Sequence, residues 1–218
     1  MTPKKLFEIG GYVAAAILVA FGIAALVMGV SGRSEVRTNV QREQIVGSAD
    51  MTKAGIREEA TQAGLSEEIL ATLPTCDVAG KLVNTGDRAK CFASYMRIHA
   101  LESTGGKTYS QMGRFLTEDG KDTNDAALAA KDPKTGQPVE NGRRNIWVTE
   151  TALATALNMA FFAEQVSNFG IVVAIALLLS GFGFGVLAFT AFRWLPAYEA
   201  RTAAVKAAAA SPVTPQTA

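Results

Sequence analysis

The stretch Gln165–Phe192, QVSNFGIVVAIALLLSGFGFGVLAFTAF, contains no Asp, Glu, Lys or Arg, and its reading decides the class of fold. It exceeds the roughly 20 residues that carry a helix across a hydrocarbon core about 30 Å thick. Its large apolar residues, among them Phe169, Ile171, Val172, Leu177, Leu178, Leu179, Phe182 and Phe184, each favour the bilayer by about 0.3 to 0.6 kcal/mol. Together the apolar residues supply roughly 4 to 8 kcal/mol, and no soluble core helix competes with that reading.

A second uncharged block lies toward the N-terminus, from Ile9 to Gly32. It is richer in Ala and must be weighed against a cleavable signal peptide, because Lys4 and Lys5 precede it and Val30, Ser31 and Gly32 make a tolerable cleavage site. The apolar run from Tyr12 to Val30 exceeds the usual 7 to 15 residues of a signal peptide, so it is read as an uncleaved anchor. The expected organisation is an N-terminus at 1–8, a first transmembrane helix at 9–32, an inserted domain at 33–164, a second transmembrane helix at 165–193 and a tail at 194–218. The fold class expected is mainly α, two transmembrane helices with a mostly helical extracytoplasmic domain between them.

Orientation follows from basic residues near the spans. Lys4 and Lys5 precede the first, and Arg193, Arg201 and Lys206 follow the second, so both termini are expected in the cytoplasm. Arg33 and Arg37 beside the first span oppose this, but long loops translocate largely regardless of charge. The chain is thus expected as a multi-pass protein of the plasma membrane with its central domain outside. Its two cysteines, Cys76 and Cys91, both fall in that domain, where an oxidising compartment favours a disulfide over free thiols or half a metal site.

Within the domain, Ser34 to Val46 is open between a helical stalk and an extended run. Helix formers follow Thr52 up to Gly64, Ser66 suits the cap of a short helix Glu67 to Leu73, and Pro74 lies just beyond it. Asp87 to Leu101 carries Phe92, Tyr95, Met96 and His99 at helical spacing, with Arg88, Lys90 and Arg97 left to face water. A glycine turn, Ser103 to Tyr109, predicts a further helix from Tyr109 to Leu116 capped by Thr108. The stretch 117–145 is rich in Gly, Asp, Asn and Pro and reads as an irregular loop. Ile146 to Phe162 returns to helical spacing and can run straight into the second span. The tail from Thr202 to Ala218 reads as disordered.

No motif assembles catalytic chemistry. Gly106-Lys107-Thr108 resembles the end of a phosphate-binding loop, but the position that needs a further Gly holds Leu101. Glu118, Asp119, Asp122 and Asp125 lack the spacing of a helix-loop-helix calcium site, and whether the 117–145 loop binds calcium in a looser way stays open. His99 is the only histidine, which excludes any two-histidine metal site and leaves little for a nucleophile triad. With Glu102 on the same helix face, His99 is a candidate ligand contact or proton-linked switch; the plainer reading is a helix residue at the edge of the domain. Gly181 and Gly185 form a small-residue face that suits close approach of the first span, a second copy or another protein. Glu164, Asn158 and Gln165 are read as interfacial, and the spans hold no ionisable residue, which argues against a pump or channel formed by this chain alone.

One further feature is the order of parts. A short start and one span are followed by the stretch Val36 to Val46, by a helix ending near His99 with Thr104-Gly105-Gly106-Lys107-Thr108-Tyr109 after it, and by a second span. This order resembles a family of actinobacterial two-span membrane proteins of unknown function. Some members carry a name borrowed from aromatic ring-opening dioxygenases, but their two-histidine iron site cannot be built from His99 alone. The role expected is that of a non-catalytic accessory or structural subunit whose outer domain makes protein contacts. The alternatives are an extracytoplasmic sensor of a small ligand and, less favoured, an envelope enzyme. The expected partners are the lipid bilayer and other membrane proteins or a second copy, with no nucleic acid and no cofactor.

Overall fold

A computed structural model describes the backbone of residues 3–210 and the side chains of residues 5–207; the Lys4 side chain and the tail beyond Ala210 lie outside the described residues. The protein is mainly α-helical. Its elements run α1 (Pro3–Arg42), α2 (Lys53–Gln62), α3 (Glu67–Leu70), α4 (Gly86–Ser103), a 3-10 turn (Tyr109–Gln111), β1 (Phe115–Leu116), β2 (Asp122–Thr123), α5 (Arg143–Phe189), a π-helical turn (Thr190–Trp194) and α6 (Leu195–Ala210). The chain divides into two compact units, one formed by residues up to Ser31 with those from Ser167 onward, the other by Gly32–Val166.

The first unit is a pair of antiparallel helical segments. Two helices of the protein are long and apolar enough to cross a membrane. Within this unit they meet along small residues. A Cβ at Gly22 would lie 2.8 Å from Leu178, one at Gly29 would lie 2.9 Å from the Ser167 carbonyl oxygen, and one at Gly11 would lie 3.1 Å from Ala188. Outward they leave Ile17, Phe21, Val27, Val172, Leu179, Phe182 and Leu187 about half or more exposed, an apolar belt that suits lipid rather than water. After Phe189 the helix widens into the π turn, where Leu195 donates its N–H to the Thr190 carbonyl. Pro196 follows at once and has no N–H to give, which fits a ladder that changes register at that point. The disorder expected from Thr202 is not seen as far as Ala210, where α6 continues. Its run of Ala residues is poor at burying a core but is the best helix former there is.

In the second unit α4 lies at the centre. Ala89, Cys91, Phe92, Ala93, Tyr95, Ile98, Ala100 and Leu101 are all buried, so more than one stripe of this helix is covered. Thr85 caps it by accepting the Arg88 N–H at 3.3 Å. Lys90 and Arg97 are exposed, as expected, while Arg88 is half-buried. Arg88 donates to the Leu82 carbonyl and to Asn84, Lys90 lies over the Phe161 ring at 4.4 Å, and Arg97 lies over Trp147 at 5.3 Å. The open question of Ser34 to Val46 is resolved as helix up to Arg42. Gln44, at φ 51°, then turns the chain, and Val46 pairs with Leu82 and Gly47 with Ala79. Only glycine fits at 47, since a Cβ there would run into the Val78 carbonyl oxygen.

Three local expectations fail for identifiable reasons. Helix α3 stops at Leu70, short of Leu73, because Pro74 offers no N–H and disfavours helical geometry at the residue before it. The helix expected over Tyr109–Leu116 closes only one 3-10 turn, although Thr108 and Gln111 form a reciprocal capping box. Beyond it Gly113 passes so close to Asp122 and Thr123 that a Cβ would lie 2.5 Å from the Thr123 nitrogen, and Phe115–Leu116 pair with Asp122–Thr123 as a small antiparallel ribbon. The 117–145 stretch is accordingly not irregular throughout: Phe115 also bridges Glu140, and Lys131 bridges Pro138.

Candidate functional site

The cysteines are joined, Cys76 to Cys91, and the bridge ties the segment after α3 to the first turns of α4. One turn later on the same helix, Tyr95 donates its hydroxyl to the Cys76 carbonyl at 2.7 Å. Burial of that phenol, with Asp77 and Asp50 nearby, pushes its pKa up. The Cys76 corner is therefore held by one covalent bond and one hydrogen bond from successive turns of α4.

His99 and Glu102 come together as their spacing on α4 implies, Nδ1 standing 3.6 Å from the Glu102 carboxylate. Two further carboxylates join them from elsewhere. Asp50, in the loop that leads into α2, places Oδ2 3.0 Å from His99 Nε2, and Glu59 of α2 places Oε2 3.6 Å from Nδ1. Burial alone would raise the Asp50 pKa, but hydrogen bonds from Ser48 and the backbone, with the neighbouring imidazole, outweigh it and hold the carboxyl below its ordinary value. Glu59 moves the other way, raised by burial and by the charge of Asp50. Among the described residues, Asp50, Glu59 and His99 are the one group of such donors gathered closely enough to hold a metal ion. Sequence reasoning missed Asp50 and Glu59, because only the packing of α2 on α4 brings them to His99.

The other acids do not converge. Asp119 is hydrogen-bonded by Thr117 and paired with Lys121, and Asp122 accepts the Gly113 N–H and pairs with Lys107 at 3.0 Å. Lys107 of the Gly106-Lys107-Thr108 run is thus tied to Asp122, and Gly105 and Gly106, at φ 64° and 78°, serve the turn that ends α4.

Glu164 is a third residue whose place sequence reasoning missed. It is not an interfacial side chain in water but a buried one, its side chain 6% exposed. Oε1 accepts from Arg37 at 2.7 Å, with Arg33 at 3.4 Å, while Oε2 accepts the Gly86 N–H at 2.6 Å. Burial pushes this carboxyl up, but the Gly86 N–H and the two guanidinium groups overcome it and hold its pKa below the ordinary glutamate range. One carboxylate thereby joins α1, the start of α4 and α5. Gly86 is required beside it, since a Cβ there would lie 2.8 Å from the Phe161 backbone.

Helix α5 has two faces in this unit. Trp147, Glu150, Ala154, Leu157, Phe161 and Glu164 turn inward as buried or half-buried residues. Val148, Ala152, Thr155, Met159 and Phe162, alternately four and three apart, all stand exposed, Val148, Met159 and Phe162 by 57%, 56% and 59%. At the upper end of that stripe Tyr109, Trp147, Val148 and Ala152 wall a largely apolar groove of about 580 Å³. A separate open cleft of about 450 Å³ lies between α4 and α5, lined by Met96, His99, Ala100, Asn145, Ile146 and Glu150. In the apolar unit, Gly181 of the proposed contact face lies against Ala15 and Val19, while Gly185 makes only an ordinary contact with Ala15. No protein-family model, curated protein or solved structure matches the chain.

Proposed function

We propose that this is a two-span protein of the plasma membrane, with both termini in the cytoplasm and its central domain outside, and that it acts without catalysis as an accessory or structural subunit making protein contacts. The exposed stripe from Val148 to Phe162 carries this reading. Its spacing of four and three is the spacing by which one helix packs along another. The flanking positions Thr149, Thr151, Ala156, Asn158, Ala163 and Gln165 carry no charge that would repel a partner helix. Lipid is a poor explanation for it, since the stripe precedes Glu164, whose ion pairs with Arg33 and Arg37 do not belong in hydrocarbon. The disulfide suits an oxidising compartment. A likeness to the actinobacterial two-span family would place the chain among proteins of the same layout.

Gentle detergent extraction followed by native mass spectrometry tests the proposal. The wild-type chain is expected in a stoichiometric complex, either with another membrane protein or with a second copy. Thr155→Arg, on the exposed face, is expected to release it while leaving its melting temperature unchanged. A lone wild-type chain under these conditions would count decisively against the reading. The cleft beside His99 favours a second reading, a sensor whose outer domain takes a small ligand with an apolar body and a polar end.

A further inference from the structure

Where α2 crosses α4, Asp50, Glu59 and Glu102 surround the single imidazole of His99. Among the described residues no Lys or Arg is ion-paired to any of these three carboxylates; the imidazole is their only basic partner. Even with His99 protonated the group keeps a surplus of negative charge. A second observation is independent of that count. Asp50 Oδ2 is shielded from solvent and has no hydrogen-bond partner that meets the geometry of one, its nearest basic atom being His99 Nε2 at 3.0 Å. A carboxylate oxygen closed off from water without an accepted hydrogen bond is under-satisfied.

We propose that Asp50, Glu59 and His99 form a binding site for one divalent first-row transition-metal cation of the zinc type. One donor atom from each lies within 4.8 Å of the others. Metal–ligand bonds of about 2.0 to 2.2 Å in a tetrahedral site separate neighbouring donors by roughly 3.3 to 3.6 Å. Asp50 stands 3.0 Å from Nε2 and Glu59 3.6 Å from Nδ1, so a set centred on one ring nitrogen closes when the imidazole and one of the carboxylates rotate. The imidazole selects the class of cation: calcium and magnesium take oxygen ligands, whereas a nitrogen with two carboxylate oxygens suits zinc and its neighbours. Three protein ligands leave a fourth position for water or for the more exposed Glu102, which stands 3.6 Å from Nδ1. The absence of a second histidine, which rules out two-histidine sites, does not touch this one. Bound there, the cation would cross-link the entry to α2, α2 itself and α4, and so stiffen the domain.

The test is a titration of the full chain in detergent, stripped with chelator, by calorimetry with Zn²⁺ and by absorption with Co²⁺. The expected result is one cation per chain and a melting temperature that rises with Zn²⁺. Glu59→Gln and His99→Gln, with melting temperatures in chelator matching wild type, are each expected to weaken binding at least tenfold. Glu118→Gln, an exposed acid of the loop after β1, is expected to bind as wild type does. No saturable binding by the wild type, unchanged affinity in Glu59→Gln, or equal affinity for Ca²⁺ and Zn²⁺ would each overturn the assignment.

Discussion

Glu164 shows how much one side chain decides here. Its carboxylate serves the Gly86 N–H and two arginines at once, and Arg33 and Arg37 are themselves about two-fifths exposed. Water can therefore take over part of what the arginines lose. We expect Glu164→Ala to lower the stability of the domain by about 2 to 3 kcal/mol, mostly through the buried Gly86 N–H left without an acceptor. The pH dependence has a definite sign. The carboxyl titrates below its unfolded value, so its contribution is complete above about pH 4.3 and is lost as the pH falls through the lower folded value. Thermal melting of the wild type in detergent should drop over that acid window, and Glu164→Gln should drop less; identical slopes would remove the carboxylate from the account. This residue was not legible in the sequence. A lone Glu beside an apolar block looks interfacial, and its partners lie 78 and 127 positions away.

At the scale of elements, what is written locally was readable and what depends on distant partners was not. The helix after Thr52, the stop before Pro74 and the unbroken helical spacing after Ile146 are local signals, and each has its counterpart in the structure, whereas Ser66 stands at the start of α3 without a side-chain cap hydrogen bond. The ribbon of Phe115–Leu116 with Asp122–Thr123 is not local. Thr108 and Gln111 announce a helix, and it is the close approach of Gly113 to the opposite strand that ends it. The cysteine pair was readable because only two are present in the chain. Replacing both, Cys76→Ser with Cys91→Ser, should cost about 3 kcal/mol for a closure of 15 residues, read as a lower denaturation midpoint. Tyr95 keeps its hydrogen bond to the Cys76 carbonyl in that variant, so the corner should loosen rather than dissolve. A midpoint equal to wild type would mean that the bridge adds nothing to it.

At the scale of the whole molecule, two apolar helices and a domain with its own core divide the labour. The helices bury small residues against each other and turn large ones outward, while the domain buries one face of α5 and leaves the other bare. Sequence periodicity groups Leu153, Leu157, Phe161 and Phe162, of which the structure turns the first three inward and leaves Phe162 exposed. It does not show that Val148, Thr155 and Met159 remain uncovered, because exposure depends on what packs nearby. The proposed function stands on that uncovered face. Placing a photo-crosslinking amino acid in turn at each residue from Val148 to Phe162, in the full chain in its native membrane, tests it most directly. Intermolecular protein adducts should recur at Val148, Ala152, Thr155, Met159 and Phe162 and fall away between them. Adducts to lipid alone, or no protein adduct on that face, would contradict the account.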